Sequence, residues 1–324
     1  MKTIGKVLKW TGIAFFGLIA LLVVTVFIRY DRTFEEPYPD IHASTDSAVI
    51  ARGKYLAYGP AHCAVCHTTA KDSLALENGE YVPMSGGRLF NMEIGKQYTA
   101  NLTPDNETGI GNVPDSVLAR TLRYGVNRHG HAIIPFMPYK DLSDMDLTAL
   151  LSYLRSQPPV KNKVPAVEYN FMGKAVMAFL LKPEVPTTPP PYSVQMDTTA
   201  EYGKYLAYNM ANCRGCHTNR DMKTGEFIGL DFAGGMKMPC DYNKNKVYCP
   251  PNLTTDAETS PIANWTYEQF RDRFKTGALI PGSHMPWTMF NRMNETDMKA
   301  VYKYLHSLPA IKNETGPYVQ KAQG

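Results

Sequence analysis

The sequence predicts an all-α protein in which one N-terminal membrane-spanning helix precedes two small helical domains in tandem. Three observations predict this architecture: a long uncharged N-terminal run, an internal repeat, and apolar residues at helical spacing with no sustained period-two alternation. The 324 residues are enough for two domains of about 100–150 residues each.

The first 30 residues predict an uncleaved membrane anchor. The 19 residues Trp10–Ile28 carry no charge and would span roughly 28 Å as a helix. A cleaved signal peptide is the alternative, but its apolar region is about 7–15 residues long and ends at small residues, whereas Arg29 follows this run. Because Lys2, Lys6 and Lys9 precede the span, we expect a cytoplasmic N-terminus and periplasmic domains on a bacterial inner membrane.

The remainder of the chain is an internal repeat. The segment GKYLAY occurs at 53–58 and 203–208, and a Cys-x-x-Cys-His motif follows each copy at the same offset. NLTPD at 101–105 likewise corresponds to NLTTD at 252–256. We therefore divide the chain into an anchor (1–30), a tether (31–44), a first domain (45–158), a Pro-rich linker (159–197), a second domain (198–313) and a tail (314–324). The linker holds a short apolar stretch, 171–181, which we interpret as a helix packed on the domains or on the membrane surface.

Local patterns within each copy predict helices. A middle helix over 114–124 in the first copy and 266–276 in the second is followed by a glycine, which is typical of a helix end. The last helix begins after Ser143 in the first copy and after Asn294 in the second, both good N-cap residues. We expect Gly53 and Gly203 to let the first helix cross the last one closely.

The two Cys-x-x-Cys-His motifs predict covalent haem. In this motif two cysteines form thioether bonds to the haem vinyl groups, and the histidine is an axial ligand of the iron. A redox dithiol or half of a zinc site is the alternative for a lone pair of cysteines, but neither explains a histidine after both pairs. We expect two haem c groups, held by two sets of residues: Cys63, Cys66 and His67, and Cys213, Cys216 and His217.

Methionines in a loop before the last helix are the leading candidates for the sixth iron ligand. Met137 and Met285 occupy equivalent positions, and each precedes a proline that disfavours helical geometry. Nearby competitors are Met145, Met289 and Met293, and bis-histidine ligation by His129, His131 or His284 also remains open. A thioether ligand raises the reduction potential relative to a second imidazole.

Cys240 and Cys249 remain outside these motifs, in an insertion that only the second copy contains. Because the domains are expected outside the cytoplasm, we predict a disulfide between them. It would close a short loop and stabilise the fold by roughly 2–3 kcal/mol in the chain-entropy model.

The charge distribution argues against nucleic-acid binding. The 34 basic and 30 acidic residues differ by four, and all four excess charges lie in the first 30 residues. The rest of the chain therefore has no basic excess that could bind phosphates. Expected partners are the lipid bilayer, through residues 10–28, and redox proteins; no small-molecule substrate is expected.

The order of these motifs resembles class I cytochrome c domains: a first helix leading into Cys-x-x-Cys-His, then a methionine loop, then a final helix with a Tyr-Leu pair. More closely, NLTPDNETGIG, DLTALLSYLRS and CRGCHTNRD resemble the multihaem cytochrome c subunits of membrane-bound alcohol and gluconate dehydrogenases, over most of residues 48–312. This chain differs in having two haem motifs where those subunits usually have three, and in its N-terminal anchor.

The resemblance implies an electron carrier. Such a subunit accepts electrons from a dehydrogenase and passes them to a respiratory acceptor, and by matching motif Met137 and Met285 would each complete one haem site. We expect a membrane-anchored relay of single electrons between a dehydrogenase or quinol-oxidising complex and an acceptor such as a terminal oxidase. An enzyme such as a dihaem cytochrome c peroxidase is the alternative.

Overall fold

The computed structural model describes residues 2–221, 225–240 and 243–322. Its first helix, α1, comprises Lys2–Arg29 and includes the whole predicted span. Over Thr3–Arg29 this helix is long and apolar enough to cross a membrane, with a mean hydropathy of 2.6 in its most apolar window, of which 6% is buried. An N-terminal membrane anchor is therefore consistent with the structure.

The first repeat combines five helices with one small sheet. In chain order its elements are α2 (Ser47–Tyr58), α3 (Cys63–His67), α4 (Ser73–Glu77), β1 (Leu89–Met92), β2 (Gly95–Tyr98), α5 (Asp115–Tyr124), α6 (Asp144–Ser156) and β3 (Glu168–Tyr169). A helix of the linker, α7 (Phe171–Phe179), follows directly.

The second repeat has the same order of elements. They are α8 (Ala200–Tyr205), α9 (Cys213–His217), β4 (Met238–Pro239), β5 (Lys246–Tyr248), α10 (Tyr267–Thr276), α11 (Trp287–Phe290), α12 (Glu295–Leu305) and β6 (Val319–Lys321). A π-helical turn, Leu206–Met210, extends α8.

The predicted helix ends are confirmed. Ser143 and Asn294 cap α6 and α12, because each side chain accepts a hydrogen bond from the backbone N–H three residues later. Gly125 follows α5 with a φ of 62°, and Gly277 follows α10 with a φ of 78°. Both backbone conformations favour glycine over other residues.

The prediction of an all-α protein is wrong, because the chain is mixed α/β. The described residues form two three-stranded antiparallel sheets, in the orders β1-β2-β3 and β4-β5-β6. Each strand has two to four residues, too few to show alternation, and the third strand of each sheet lies beyond the last helix of its repeat. Each folded repeat therefore extends past the predicted domain ends at 158 and 313.

The first and last helices of each repeat cross in backbone contact, as predicted. A Cβ atom added at Gly53 would overlap the Ala149 carbonyl oxygen of α6, and one added at Gly203 would overlap the Ala300 carbonyl oxygen of α12. No other residue could occupy these crossings without separating the helices. The crossings position the segment that follows α2 or α8, which contains the Cys-x-x-Cys-His motif.

The two repeats contact each other through equivalent residues. The Tyr55 hydroxyl donates to Asp297 Oδ2 at 2.6 Å and accepts from the backbone N–H of Asn294 at 3.1 Å. In the reverse direction the Tyr205 hydroxyl donates to Asp146 Oδ2 at 2.8 Å and accepts from Ser143 N–H at 3.0 Å. A reciprocal contact of this kind is the signature of two-fold symmetry, here between two halves of one chain. One continuous cluster of buried apolar residues extends across both repeats.

Candidate haem-binding sites

Each Cys-x-x-Cys-His motif forms one short helix, α3 or α9, after a left-handed residue. His62, with a φ of 42°, precedes Cys63, and Asn212, with a φ of 51°, precedes Cys213. This backbone turn redirects the chain from the first helix into the motif. Within one helical turn the two thiols and the imidazole of each motif are therefore presented together, as attachment to one macrocycle requires.

The histidine of each motif is oriented as a metal ligand. His67 Nδ1 lies 2.9 Å from the Ala100 carbonyl oxygen, and His217 Nδ1 lies 2.9 Å from the Pro251 carbonyl oxygen. Because a carbonyl can only accept, Nδ1 carries the proton and Nε2 keeps its lone pair. Burial lowers the pKa of both imidazoles, that of His217 to about 4, so both are neutral at pH 7.

A pair of glycines packs against each histidine. Gly86 N–H donates to the His67 carbonyl oxygen at 2.7 Å, and Gly234 N–H donates to the His217 carbonyl oxygen at 2.7 Å. Both glycines have a positive φ, and a Cβ on Gly86 would overlap the Ala100 carbonyl that holds His67. The glycine therefore lets the loop approach closely enough to supply that carbonyl.

The electrostatics of the thiols fit haem attachment better than a redox dithiol. Burial raises the pKa of Cys63 and of Cys213 to about 12, and it also raises the pKa of Cys66 and of Cys216. Reactive dithiols have a lowered pKa because the thiolate is the nucleophile. The described residues also contain no group of three or more His, Cys, Asp or Glu that could hold a metal ion.

In the first repeat, the methionine loop lies against the motif helix. The Tyr139 hydroxyl, two residues after Met137, donates to the Ala61 carbonyl and is 3.9 Å from Cys63 Sγ. Met137 itself is half-buried against the core cluster that Cys63 also contacts. The structure thus brings the loop of the predicted sixth ligand to the motif.

In the second repeat, Met285 is half-buried and packs on the same core cluster as Cys213. Its loop is held by Ser283, whose hydroxyl accepts from Met285 N–H at 3.4 Å and from Trp287 Nε1–H at 3.2 Å. The Arg273 guanidinium carbon lies 3.7 Å from the centroid of the Trp287 ring. The equivalent positions 139 and 287 therefore both anchor the methionine loop through an aromatic side chain.

The competing ligands are less suitable. His131 faces the tether, with Nδ1 3.3 Å from the Arg32 carbonyl oxygen and Nε2 3.5 Å from Asp31 Oδ1. His129 and Met145 are exposed, whereas Met289 and Met293 are buried in the core. The His284 ring makes an edge contact with Tyr248 at 5.1 Å between centroids. Met137 and Met285 therefore remain the best candidates.

The structure does not bring Cys240 and Cys249 together, and the described residues contain no disulfide. In the β4–β5 hairpin, Met238 is opposite Tyr248, so Cys240 lies opposite Lys246 and on the other face from Cys249. Cys240 Sγ contacts the Tyr248 hydroxyl at 3.6 Å, and Cys249 Sγ contacts the Thr315 carbonyl oxygen at 3.4 Å. Bridging the two sulfurs would require a shift of the hairpin register.

Sequence reasoning missed the groups that hold the histidines. Ala100 and Pro251 act through backbone carbonyls, so their side chains give no indication of this role. The glycine pairs 86–87 and 234–235 did offer a signal, because they recur at nearly the offset of the repeat. A glycine pair at equivalent positions indicates a close backbone approach.

Comparison with known proteins agrees with this geometry. Residues 200–309 match the family model described as cytochrome c, so the second repeat is a cytochrome c domain, and proteins of this family carry covalent haem c. Over 204 residues, 60% of this chain, it is 32% identical to a subunit of the nicotinate dehydrogenase of Pseudomonas putida. Over 92% of the chain it is 28% identical to the fructose dehydrogenase cytochrome subunit of Gluconobacter japonicus.

A third relative is the cytochrome c subunit of the quinone-dependent alcohol dehydrogenase of Gluconobacter oxydans, 27% identical over 82% of this chain. The expected resemblance to cytochrome c subunits of alcohol and gluconate dehydrogenases is therefore confirmed. The chain spans only part of these relatives: 16% of the nicotinate dehydrogenase subunit, 59% of the fructose dehydrogenase subunit and 56% of the alcohol dehydrogenase subunit.

Proposed function

We propose that the chain is a membrane-anchored dihaem c-type cytochrome that relays single electrons and has no catalytic site of its own. The observation that carries this proposal is the repeated histidine geometry, in which Nδ1 is bound to a backbone carbonyl and Nε2 keeps its lone pair beside two thiols. Because this arrangement occurs in both repeats, we infer two haem sites.

The residues divide the work of each site. Cys63 and Cys66 hold one haem and His67 and Met137 ligate its iron; Cys213, Cys216, His217 and Met285 do the same for the other. When bound, haem c supplies a one-electron Fe(III)/Fe(II) couple. The chain fixes the imidazole tautomer, supplies a soft thioether that favours the reduced iron, and surrounds both ligands with apolar side chains that exclude water. With two protein ligands on each iron, no position is left for a substrate.

The anchor determines where this relay operates. Lys6 and Lys9 precede the uncharged span of α1, and the positive-inside bias then assigns the N-terminus to the cytoplasm. Both repeats consequently lie on the periplasmic side of a bacterial inner membrane. The names of the similar proteins support a dehydrogenase as the electron donor, with a respiratory acceptor such as a terminal oxidase downstream. Copurification from detergent extracts should identify both partners.

Mass and optical spectra test the haem sites directly. The intact wild-type chain should carry the mass of two haems, and Cys63→Ala/Cys66→Ala or Cys213→Ala/Cys216→Ala should carry one. The oxidised protein should show the near-infrared charge-transfer band of thioether-ligated iron. Met137→Ala and Met285→Ala should each remove about half of that band, whereas Met145→Ala, at an exposed position, should leave it unchanged.

Two results would contradict the proposal. An intact mass with fewer than two haems would remove one of the sites. A high-spin iron in the wild-type protein, with peroxide turnover well above that of free haem, would instead favour a dihaem peroxidase.

A further inference from the structure

The linker helix α7 has two sharply different faces. Gly173, Met177 and Ala178 are buried on one side. The opposite side carries Phe171, Met172 and Phe179, which are 51%, 60% and 40% exposed, and Leu180 just beyond the helix end is 68% exposed. Ala175 and Val176 complete this side, which therefore has no polar or charged group. An exposed apolar face on a nine-residue helix needs a partner that can cover it.

The buried side of α7 is fixed to the first repeat. Asn170 caps the helix by accepting from Gly173 N–H at 2.9 Å, and its Nδ2–H donates to the Glu93 carbonyl at 2.7 Å in the turn between β1 and β2. A Cβ on Gly173 would overlap the Ile94 carbonyl oxygen in the same turn. The exposed face thus has a fixed orientation relative to the first haem domain.

The end of the membrane span determines the depth of α7. The Phe171 ring lies 6.3 Å from the ring of Phe27, the penultimate residue of the uncharged span. Lys174, the only charged residue of α7, places its ammonium 4.7 Å from the Phe27 ring centroid and 4.9 Å from that of Tyr30. Beyond the two helices, Arg32 donates to the Leu181 carbonyl at 2.6 Å. These contacts bring α7 to the level where the hydrocarbon core ends.

From these contacts we propose that α7 lies in the interfacial region of the outer leaflet, with Phe171, Met172, Phe179 and Leu180 facing the acyl chains. The bilayer is the occupant of this face because α7 continues the surface of α1, which the membrane already surrounds. A lysine over aromatic rings at this depth is the arrangement expected at the headgroup level. The consequence is that the first repeat, not only the anchor, is bound to the membrane. This inference rests on the proposed anchorage of α1.

Photocrosslinking in intact membranes tests the inference. The photoreactive analogue p-benzoylphenylalanine would replace Phe171 or Phe179 in the full chain, in cells grown with labelled phospholipid. Phe16, 70% exposed within α1, is the positive control, and Leu279, 62% exposed in the second repeat, is the negative control. We expect lipid adducts at 171 and 179 about tenfold above those at 279.

The controls separate the two levels of the proposal. Lipid adducts at 16 but only background at 171 and 179, or adducts of 171 and 179 with a protein instead, would overturn the role of α7 and leave the anchor intact. Background labelling at position 16 would instead refute the membrane anchorage itself, and the inference on α7 with it.

Discussion

The two repeats are alike where they form the candidate haem sites and different where they meet the rest of the molecule. His67 and His217 have the same backbone acceptor at the same distance, and Tyr55 and Tyr205 make the same contact across the interface. Outside these features, the first repeat contacts α7 and the tether, whereas the second carries the insertion with Cys240 and Cys249. The comparison teaches that the ligand geometry and the docking of the repeats are one repeated unit, onto which each repeat adds its own surroundings.

One difference lies inside the shared interface. Arg52 Nε donates to Asp146 Oδ1 at 3.0 Å, but the equivalent residue in the second repeat is Tyr202, which donates to Asp297 Oδ1 at 3.0 Å. The second carboxylate therefore has two hydroxyl donors and no cation of its own repeat. Burial raises the pKa of Asp297, although hydrogen bonds from Tyr55 and Tyr202 oppose this. The interface is symmetric in geometry and asymmetric in charge.

The largest effect is expected where the repeats are most alike. Gly53→Ala and Gly203→Ala should each lower the free energy of unfolding by about 3 kcal/mol, because the new Cβ separates two helices in backbone contact. The urea midpoint of the detergent-solubilised holoprotein, followed by far-UV circular dichroism, measures this. Gly17→Ala is the control, since nothing lies within 4 Å of its added Cβ. A wild-type midpoint for either variant would mean that the two crossings are not equivalent.

The charge asymmetry gives the next largest effect. Arg52→Met leaves Asp146 with a buried charge and should cost about 2 kcal/mol, part of the usual penalty being spared because Tyr205 still donates to this carboxylate. Tyr202→Phe, at the equivalent position, removes one hydrogen bond and should cost about 1 kcal/mol. Both are read from the same denaturation curves. Equal losses would show that the cation contributes no more than the hydroxyl.

The reciprocal tyrosines should give equal and smaller effects. Tyr55→Phe and Tyr205→Phe each retain the ring and lose one bond to a carboxylate and one to a backbone N–H, which should cost about 1 kcal/mol each. Tyr81→Phe, at a half-exposed ring in the first repeat, serves as the comparison for loss of a hydroxyl elsewhere. A clearly larger loss for one tyrosine would break the two-fold equivalence of the interface.

The smallest effect concerns two exposed turns. Asp105 Oδ1 accepts from Thr108 N–H and Oγ1–H at 2.7 Å, and Asp256 does the same with Thr259 at 2.8 and 2.7 Å. The hydroxyl and backbone hydrogen bonds lower the pKa of both carboxyl groups. Their contribution to stability is therefore present above the unfolded pKa of about 3.9 and is lost as the pH falls through the lower folded value.

Asp105→Asn and Asp256→Asn should consequently lower the unfolding midpoint slightly at neutral pH. The difference from wild type should shrink as the pH falls below about 4. Glu35→Gln in the tether is the exposed control. A difference that grows on acidification in either variant would contradict this sign.

The success of the sequence predictions follows the range of the interactions involved. The cap at Ser143, the glycine after α5 and the crossing at Gly53 were all predicted, because each depends on a few neighbouring residues or on the absence of a side chain. A difference within the first helices has a local cause as well. Gly59-Pro60 ends α2, whereas Asn209-Met210 do not end α8, and the same number of residues is taken up as a π-helical turn.

By itself the sequence determined the uncharged span, the duplication, the helices with their ends, and the residues of both Cys-x-x-Cys-His motifs. Only the tertiary structure decided the two sheets, the separation of Cys240 from Cys249, and the contact of Tyr55 with Asp297, 242 residues apart in the chain. The physical reason is that helix periodicity and capping act within one or two turns. A two-residue strand or an interfacial hydroxyl instead gains its partner only when distant segments have already docked.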